Sequence, residues 1–136
     1  MLPTKEELIE YLSNKMTNQD IANIHGTTYQ KIIQLIKKYK LDPNQLRQAN
    51  KYTVYLHLLN GEVVYVGSGV WYRCRRHTNR RNSEHKQLMQ DGKIEYKFVG
   101  EFDREENARN YEMELIEKYK RLGKAKFNKI QSKKTK

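Results

Sequence analysis

A chain of 136 residues has room for one modest domain, or for a small module beside a compact one. It carries 27 Lys and Arg against 16 Asp and Glu, a net charge of +11, which points to a polyanionic partner, most often nucleic acid. The single cysteine, Cys74, excludes an internal disulfide and a thiolate metal cluster and suits a reducing, cytoplasmic location. No apolar run approaches membrane-spanning length, and MLPTKEELIEYL has acids where a signal peptide needs a basic region, so a membrane is not an expected partner.

Residues 1–42 read as three short helices. Thr4 is an N-cap with Glu6 and Glu7 in the first turn, and Leu8, Ile9, Leu12 and Met16 recur at helical spacing. Thr17 is a second cap, with Asp20 at the capping-box position. Ile21, Ala22 and Ile24 then lead to a stop at His25-Gly26. Thr27 or Thr28 caps a third helix holding Ile32, Ile33, Leu35 and Ile36, ended by Asp42-Pro43. Three helices with a glycine turn before the third resemble a helix-turn-helix DNA reader. Ala22 and Gly26 have that family's spacing, while His25 stands where an aliphatic residue is usual. The resemblance implies that Thr27, Thr28, Tyr29, Gln30 and Lys31 open a recognition helix and meet base edges or phosphates. A helical cap or dimerisation piece would show the same periodicity. Residues 43–50 are polar and read as a linker or a single helical turn.

From Lys51 the charge becomes lopsided: twenty basic and eleven acidic residues, against seven and five before it. Residues 52–59 and 62–66 are β-branched, aromatic and aliphatic, with Asn60-Gly61 between them, the signature of a two-residue hairpin turn. Gly67-Ser68-Gly69 then breaks the second strand. A helix is expected next, carrying Arg73, Arg75, Arg76, His77, Arg80 and Arg81 interleaved with Trp71 and Tyr72. No acid occurs between Val63 and Ser83, so these arginines suit phosphates better than self-paired salt bridges. Ser83 caps a helix to Gln90, on which His85 reads as a phosphate contact or surface residue. Residues 94–102 alternate as a third strand. Asp103 caps a long helix with Ala108, Tyr111, Leu115 and Tyr119 as its inward stripe and Gly123 as its stop. Residues 131–136 read as a frayed basic tail. The expected fold is α+β: a small three-stranded antiparallel sheet flanked by helices in 51–130, preceded by the three-helix module.

Thr53-Val54-Tyr55, Tyr65-Val66-Gly67, Arg73 and His77 together resemble the GIY-YIG nuclease family. Thr53 and Val54 depart from the first triplet, and valine replaces isoleucine in the second. Glu112, one turn after Ala108 and three residues before Leu115-Ile116, stands where the family's metal-holding glutamate lies. Asn128, in Phe127-Asn128-Lys129-Ile130, stands in the closing element. The resemblance covers residues 52–130.

What it implies is hydrolysis of a phosphodiester in double-stranded DNA. Glu112 would hold one Mg²⁺ (or Mn²⁺), whose other ligands are waters and the scissile phosphate. Arg73 would fork onto the non-bridging oxygens. Tyr65 would be the base or water positioner and Tyr55 its orienting partner, with the roles exchangeable. Arg73, His77 and the metal would favour phenolate. His77 would relay the proton or hold phosphate, and Asn128 would brace the site. Arg75, Arg76, Arg80, Arg81 and His85 would contact DNA. The expected protein is a homing-type or phage-encoded stand-alone endonuclease, acting as a monomer or a DNA-induced dimer. A restriction or repair-type nicking enzyme, or a DNA-binding regulator on a nuclease scaffold, are the alternatives.

Overall fold

The structure is a computed structural model that describes residues 1–76 and 81–128; the expectations for His77, Arg80, Ile130 and the tail 131–136 lie outside the described residues. The chain divides into two compact units, Met1–Asn50 and Lys51–Lys136.

In the first unit, α1 (Lys5–Ser13), α2 (Asn18–His25) and α3 (Tyr29–Lys38) enclose Leu8, Leu12, Ile21, Ala22, Ile32, Leu35 and Ile36. Thr4 and Thr17 both form complete capping boxes, with Glu7 and Asp20 answering them. Each cap satisfies amides the helix cannot, a contribution of about 1 kcal/mol. Gly26, at φ 65, closes α2 in the left-handed region, and Thr28 caps α3. That third helix stops at Lys38, well before Asp42. Residues 43–50, expected as a linker or a turn, belong to this unit. Asp42 caps α4 (Pro43–Arg47), and Arg47 is 5% exposed. Its guanidinium donates to the Met16 carbonyl at 2.8 and 3.0 Å and to Asn18 Oδ1 at 2.7 Å. Lys15 Nζ in turn donates to the Arg47 carbonyl at 2.7 Å. Burial lowers the Arg47 pKa to about 10, against the pull of Asp20, and these acceptors are what let a cation stay inside. A polar composition hid the segment because the force that folds it is hydrogen bonding to a buried charge, not an apolar stripe.

In the second unit, β1 (Tyr52–Leu59) lies between β2 (Glu62–Gly69) and β3 (Ile94–Phe102) in an antiparallel sheet ordered β2-β1-β3, with α5 (Ser83–Gln90) before β3 and α6 (Glu105–Arg121) after it. Asn60 at φ 53 and Gly61 at φ 81 supply the two positive angles of a primed hairpin turn. One sheet face buries Val54, Leu56, Val63 and Val66 against Ala108, Tyr111, Leu115, Ile116 and Tyr119 of α6. An irregularity between His57 and Leu58 turns Val64 to the other face, where it packs with Met89, Ile94, Leu88 and Phe127. Residues 53–57 of β1 are therefore buried on both faces.

Four expectations are corrected. The second strand does not break at Gly67 but runs to Gly69, because both glycines are needed for close approach inside it. The arginine segment is not helical over its described residues 70–76: Arg73 and Arg76 amides bond three residues back, to Val70 and Arg73 carbonyls. The Cys74 carbonyl, which a helix would give to a later amide, is taken instead by His57 Nε2 at 2.7 Å. Finally, Asp103 does not cap α6. It pairs with Lys51, and the cap position falls on Arg104 with no side-chain bond. The α5 cap likewise falls one residue early, on Asn82. Among the described residues no helix is long and apolar enough to cross a membrane.

Candidate active site

The last four residues of β2, 66–69, collect side chains singled out from distant parts of the chain. Asn128 clamps Val66: its Oδ1 accepts from the Val66 amide at 2.8 Å and its Nδ2 donates to the Val66 carbonyl at 2.9 Å. Gly67 carries the Tyr55 ring, whose hydroxyl lies 2.5 Å from where a Cβ at Gly67 would stand. Ser68 Oγ donates to Glu112 Oε1 at 2.6 Å. Gly69 carries Arg73, whose Cδ lies 2.6 Å from a Cβ built there. At the rise of a strand, these four attachments span roughly 10 Å.

They do not all arrive from one side. Successive strand residues face opposite ways. Ser68 pairs with Val54, which packs against α6, whereas Gly67 pairs with Tyr55 and Gly69 with Thr53 on the other face. Glu112 therefore reaches the strand from the helix face, and Tyr55 from the opposite one. β2 is an edge strand, so the two faces meet around its end. Arg73, exposed beside Gly69, acts electrostatically on Glu112. Burial pushes the Glu112 carboxyl above its ordinary value, opposed by the Ser68 hydrogen bond, Arg109 and Arg73.

The face bearing Tyr55 is an aromatic cluster threaded by one guanidinium. Tyr55 stacks on His57 with ring centroids 5.5 Å apart, and Tyr65 lies 6.5 Å from Tyr55 and 5.2 Å from His57. Arg81 sits over the Tyr65 ring at 4.9 Å and acts on Tyr55, while its Nε donates to the Arg76 carbonyl at 2.8 Å. Burial raises the Tyr55 phenol well above its usual range, with Tyr65 adding to the effect and Arg81 opposing it. The phenolate expected from neighbouring cations is thus disfavoured at Tyr55, because desolvation of an anion outweighs one nearby charge.

His57 and His85 complete this face. His57 Nδ1 and His85 Nε2 are 2.8 Å apart, and both rings are essentially inaccessible. Burial is the largest cause that lowers His57 to about 3 and His85 to about 4, with Arg81 next in both. His85, expected as a phosphate contact or surface residue, is 1% exposed and stacked on Phe127 at 4.5 Å. It is an interior group of the site, drawn in by the stack and by His57.

The remaining expected contacts are distributed along the surface. Arg75 covers Tyr96 at 5.0 Å and Phe98 at 5.9 Å, and exposed Arg76 covers Tyr72 at 5.0 Å. In the first unit, Thr28, Tyr29, Gln30 and Lys31 are exposed at the start of α3, with Thr27 half-buried before them. His57, Ser68 and the central place of Arg81 were not foreseen. His57 follows Tyr55 by two, so strand alternation alone puts them on one face. Counting from the Asn60-Gly61 turn sets Ser68 opposite Thr53, and only the irregularity between His57 and Leu58 moves it opposite Val54; nothing in the text points Glu112 at it.

Among the described residues no three His, Cys, Asp or Glu side chains group as a metal centre. Glu112 keeps Oε2 without a hydrogen-bond partner among the described residues. One carboxylate oxygen beside a hydroxyl suits a hard, largely hydrated cation and not a tetrahedral zinc. Comparison with protein families, curated proteins and solved structures finds no match to this chain.

Proposed function

We propose that the protein is a Mg²⁺-dependent DNA endonuclease of the GIY-YIG kind, whose first unit helps choose the site and whose second unit cuts. The observation that carries this reading is the gathering of Asn128, Tyr55, Glu112 and Arg73 onto residues 66–69 of one strand. Tyr55 meets Gly67 by strand register and Arg73 follows Gly69 closely in the chain, but Glu112 and Asn128 come from 44 and 62 positions away, and all but the asparagine bring groups that act on phosphate or water. Glu112 would hold Mg²⁺ or Mn²⁺, which when bound stabilises charge on the phosphate and the leaving oxygen. Arg73, at the strand end and free of helical constraint, would fork onto non-bridging oxygens. Tyr65 would position the attacking water. Tyr55, held protonated by burial, would donate a hydrogen bond as its orienting partner. Exposed residues 28–31 would dock on duplex DNA. A homing-type or phage-encoded role is the preferred setting, and a cytoplasmic location follows from it.

The approach of Glu112 from the helix face favours a second reading, a non-catalytic DNA-binding regulator. Plasmid nicking with Mg²⁺ and with EDTA separates the two. The nuclease nicks only with metal, and Glu112→Gln binds DNA as the wild type does while nicking is lost. Nicking retained by Glu112→Gln overturns the site. Tight binding without nicking by the wild-type protein leaves the regulator.

A further inference from the structure

The two rims of the sheet differ. On the outer rim of β2, the Val63 and Val64 carbonyls accept from the Ala125 and Phe127 amides, and Val66 is clamped by Asn128. β3 has β1 on one side and, among the described residues, no strand on the other. Alternate residues of such an edge turn an N–H and a C=O outward, where another strand can pair with them. Charged side chains on an edge usually keep copies apart, because most registers set like charges opposite each other. The first five residues of β3 are Ile94-Glu95-Tyr96-Lys97-Phe98. Glu95 and Lys97 are exposed, share one face of the strand and form no ion pair among the described residues. Opposite Val54 and Tyr55 the register skips from Gly100 to Phe98, so the regular stretch ends at Phe98.

When two identical strands pair antiparallel, opposite residues share a sheet face, so one residue at the centre meets its own copy. A centre at 95 sets Glu95 on Glu95, and a centre at 97 sets Lys97 on Lys97. A centre at 98 crosses the irregularity. With Tyr96 at the centre, Glu95 faces Lys97 twice, Ile94 faces Phe98 twice, and all five residues lie in the regular stretch. We infer that β3 is the edge through which this protein pairs with a second copy of itself, antiparallel over residues 94–98 and centred on Tyr96. With the rim of β2 sealed at residues 63, 64 and 66, pairing closes at two and yields the order β2-β1-β3-β3-β1-β2. A twofold axis normal to the sheet leaves the Tyr55 faces of both copies looking the same way. Only one consequence rests on the nuclease reading: the dimer presents two candidate sites to one duplex, one for each strand.

Five paired residues make a small interface, so the expected dissociation constant is on the order of 100 µM, tightened where both copies share a DNA molecule. Sedimentation velocity of the intact protein without DNA, from tenfold below to tenfold above that value, should show monomer passing to dimer. Glu95→Lys and Lys97→Glu should each weaken association on the order of tenfold, by setting like charges opposite each other twice. The double variant Glu95→Lys/Lys97→Glu should restore it. Glu95→Cys and Lys97→Cys proteins, mixed and oxidised, should link by a disulfide faster than either alone. A wild type that stays monomeric throughout overturns the inference. So does a dimer indifferent to both charge reversals, or one that the double variant fails to restore. Equal linkage in the mixture and in the single variants overturns the register. Association is read without cleavage, so a protein that never nicks loses the consequence for duplex DNA and keeps the dimer.

Discussion

Acid should unfold the second unit through two histidines while leaving carboxylates out of the account. His57 and His85 titrate near 6.5 when unfolded, but folding lowers them to about 3 and about 4. Below pH 6.5 the unfolded chain takes up protons that the native one refuses, so stability falls with pH from about 6.5 down to the folded values. At pH 5 each histidine costs about 1.5 pK units, or about 2 kcal/mol at 1.36 kcal/mol per unit. Together they approach the whole stability of a small domain, roughly 5 kcal/mol at the low end. Glu112 works in the opposite sense, since its raised carboxyl pKa makes the folded state easier to protonate, and it cannot mimic the loss. The single tryptophan, Trp71, lies in the second unit, so its fluorescence reports urea unfolding of that unit free of the helical one. The midpoint should fall steeply between pH 7.5 and 5.0, and His57→Asn should show about half the slope. A wild-type midpoint independent of pH, or an asparagine variant with the full slope, would refute the argument.

Three other outcomes follow from contacts on the same strand and in the helical unit. Gly67→Ala drives a Cβ into the far end of the Tyr55 ring, which is buried and has little room to give, a clash worth about 1–3 kcal/mol. Nicking should drop with it while DNA binding, measured by filter retention, holds. Asn128→Ala removes both bonds to buried Val66 and should cost about 1–3 kcal/mol, read as faster amide exchange at residue 66 in particular. Arg47→Met leaves the Met16 carbonyl and Asn18 without their charged donor, so circular dichroism should show the helical unit melting earlier, by about 1.5–3 kcal/mol.

The parts legible in the text were those with local causes. Asn60-Gly61 fixes a turn through its own backbone angles, Thr17 with Asp20 closes a box within four residues, and Ala108, Tyr111, Leu115 and Tyr119 declare a face by period alone. The α+β class and the three-stranded sheet follow from these. What escaped was set by partners far away in the chain. Arginine favours helices, so residues 73–76 read as one, but the turn there is shaped by a carbonyl given to His57 and by Arg81 folding back onto Arg76. Arg47 looked like linker until its acceptors, 29 and 31 positions earlier, came into view. Asp103 has the chemistry of a cap and spends it on Lys51. In the candidate site the residue types were legible, and the face from which Glu112 arrives was not.

The segment after α6 also governs how this sheet behaves at high concentration. Amides of Ala125 and Phe127 bond to the Val63 and Val64 carbonyls at 2.9 Å, and Asn128 takes both polar groups of Val66. The outer rim of β2 is thereby sealed at residues 63, 64 and 66 by the chain's own backbone and one amide side chain. An unsealed rim of valines is a template on which a second molecule can extend the sheet. A chain shortened before Ala125 should therefore associate with itself, whatever else it loses.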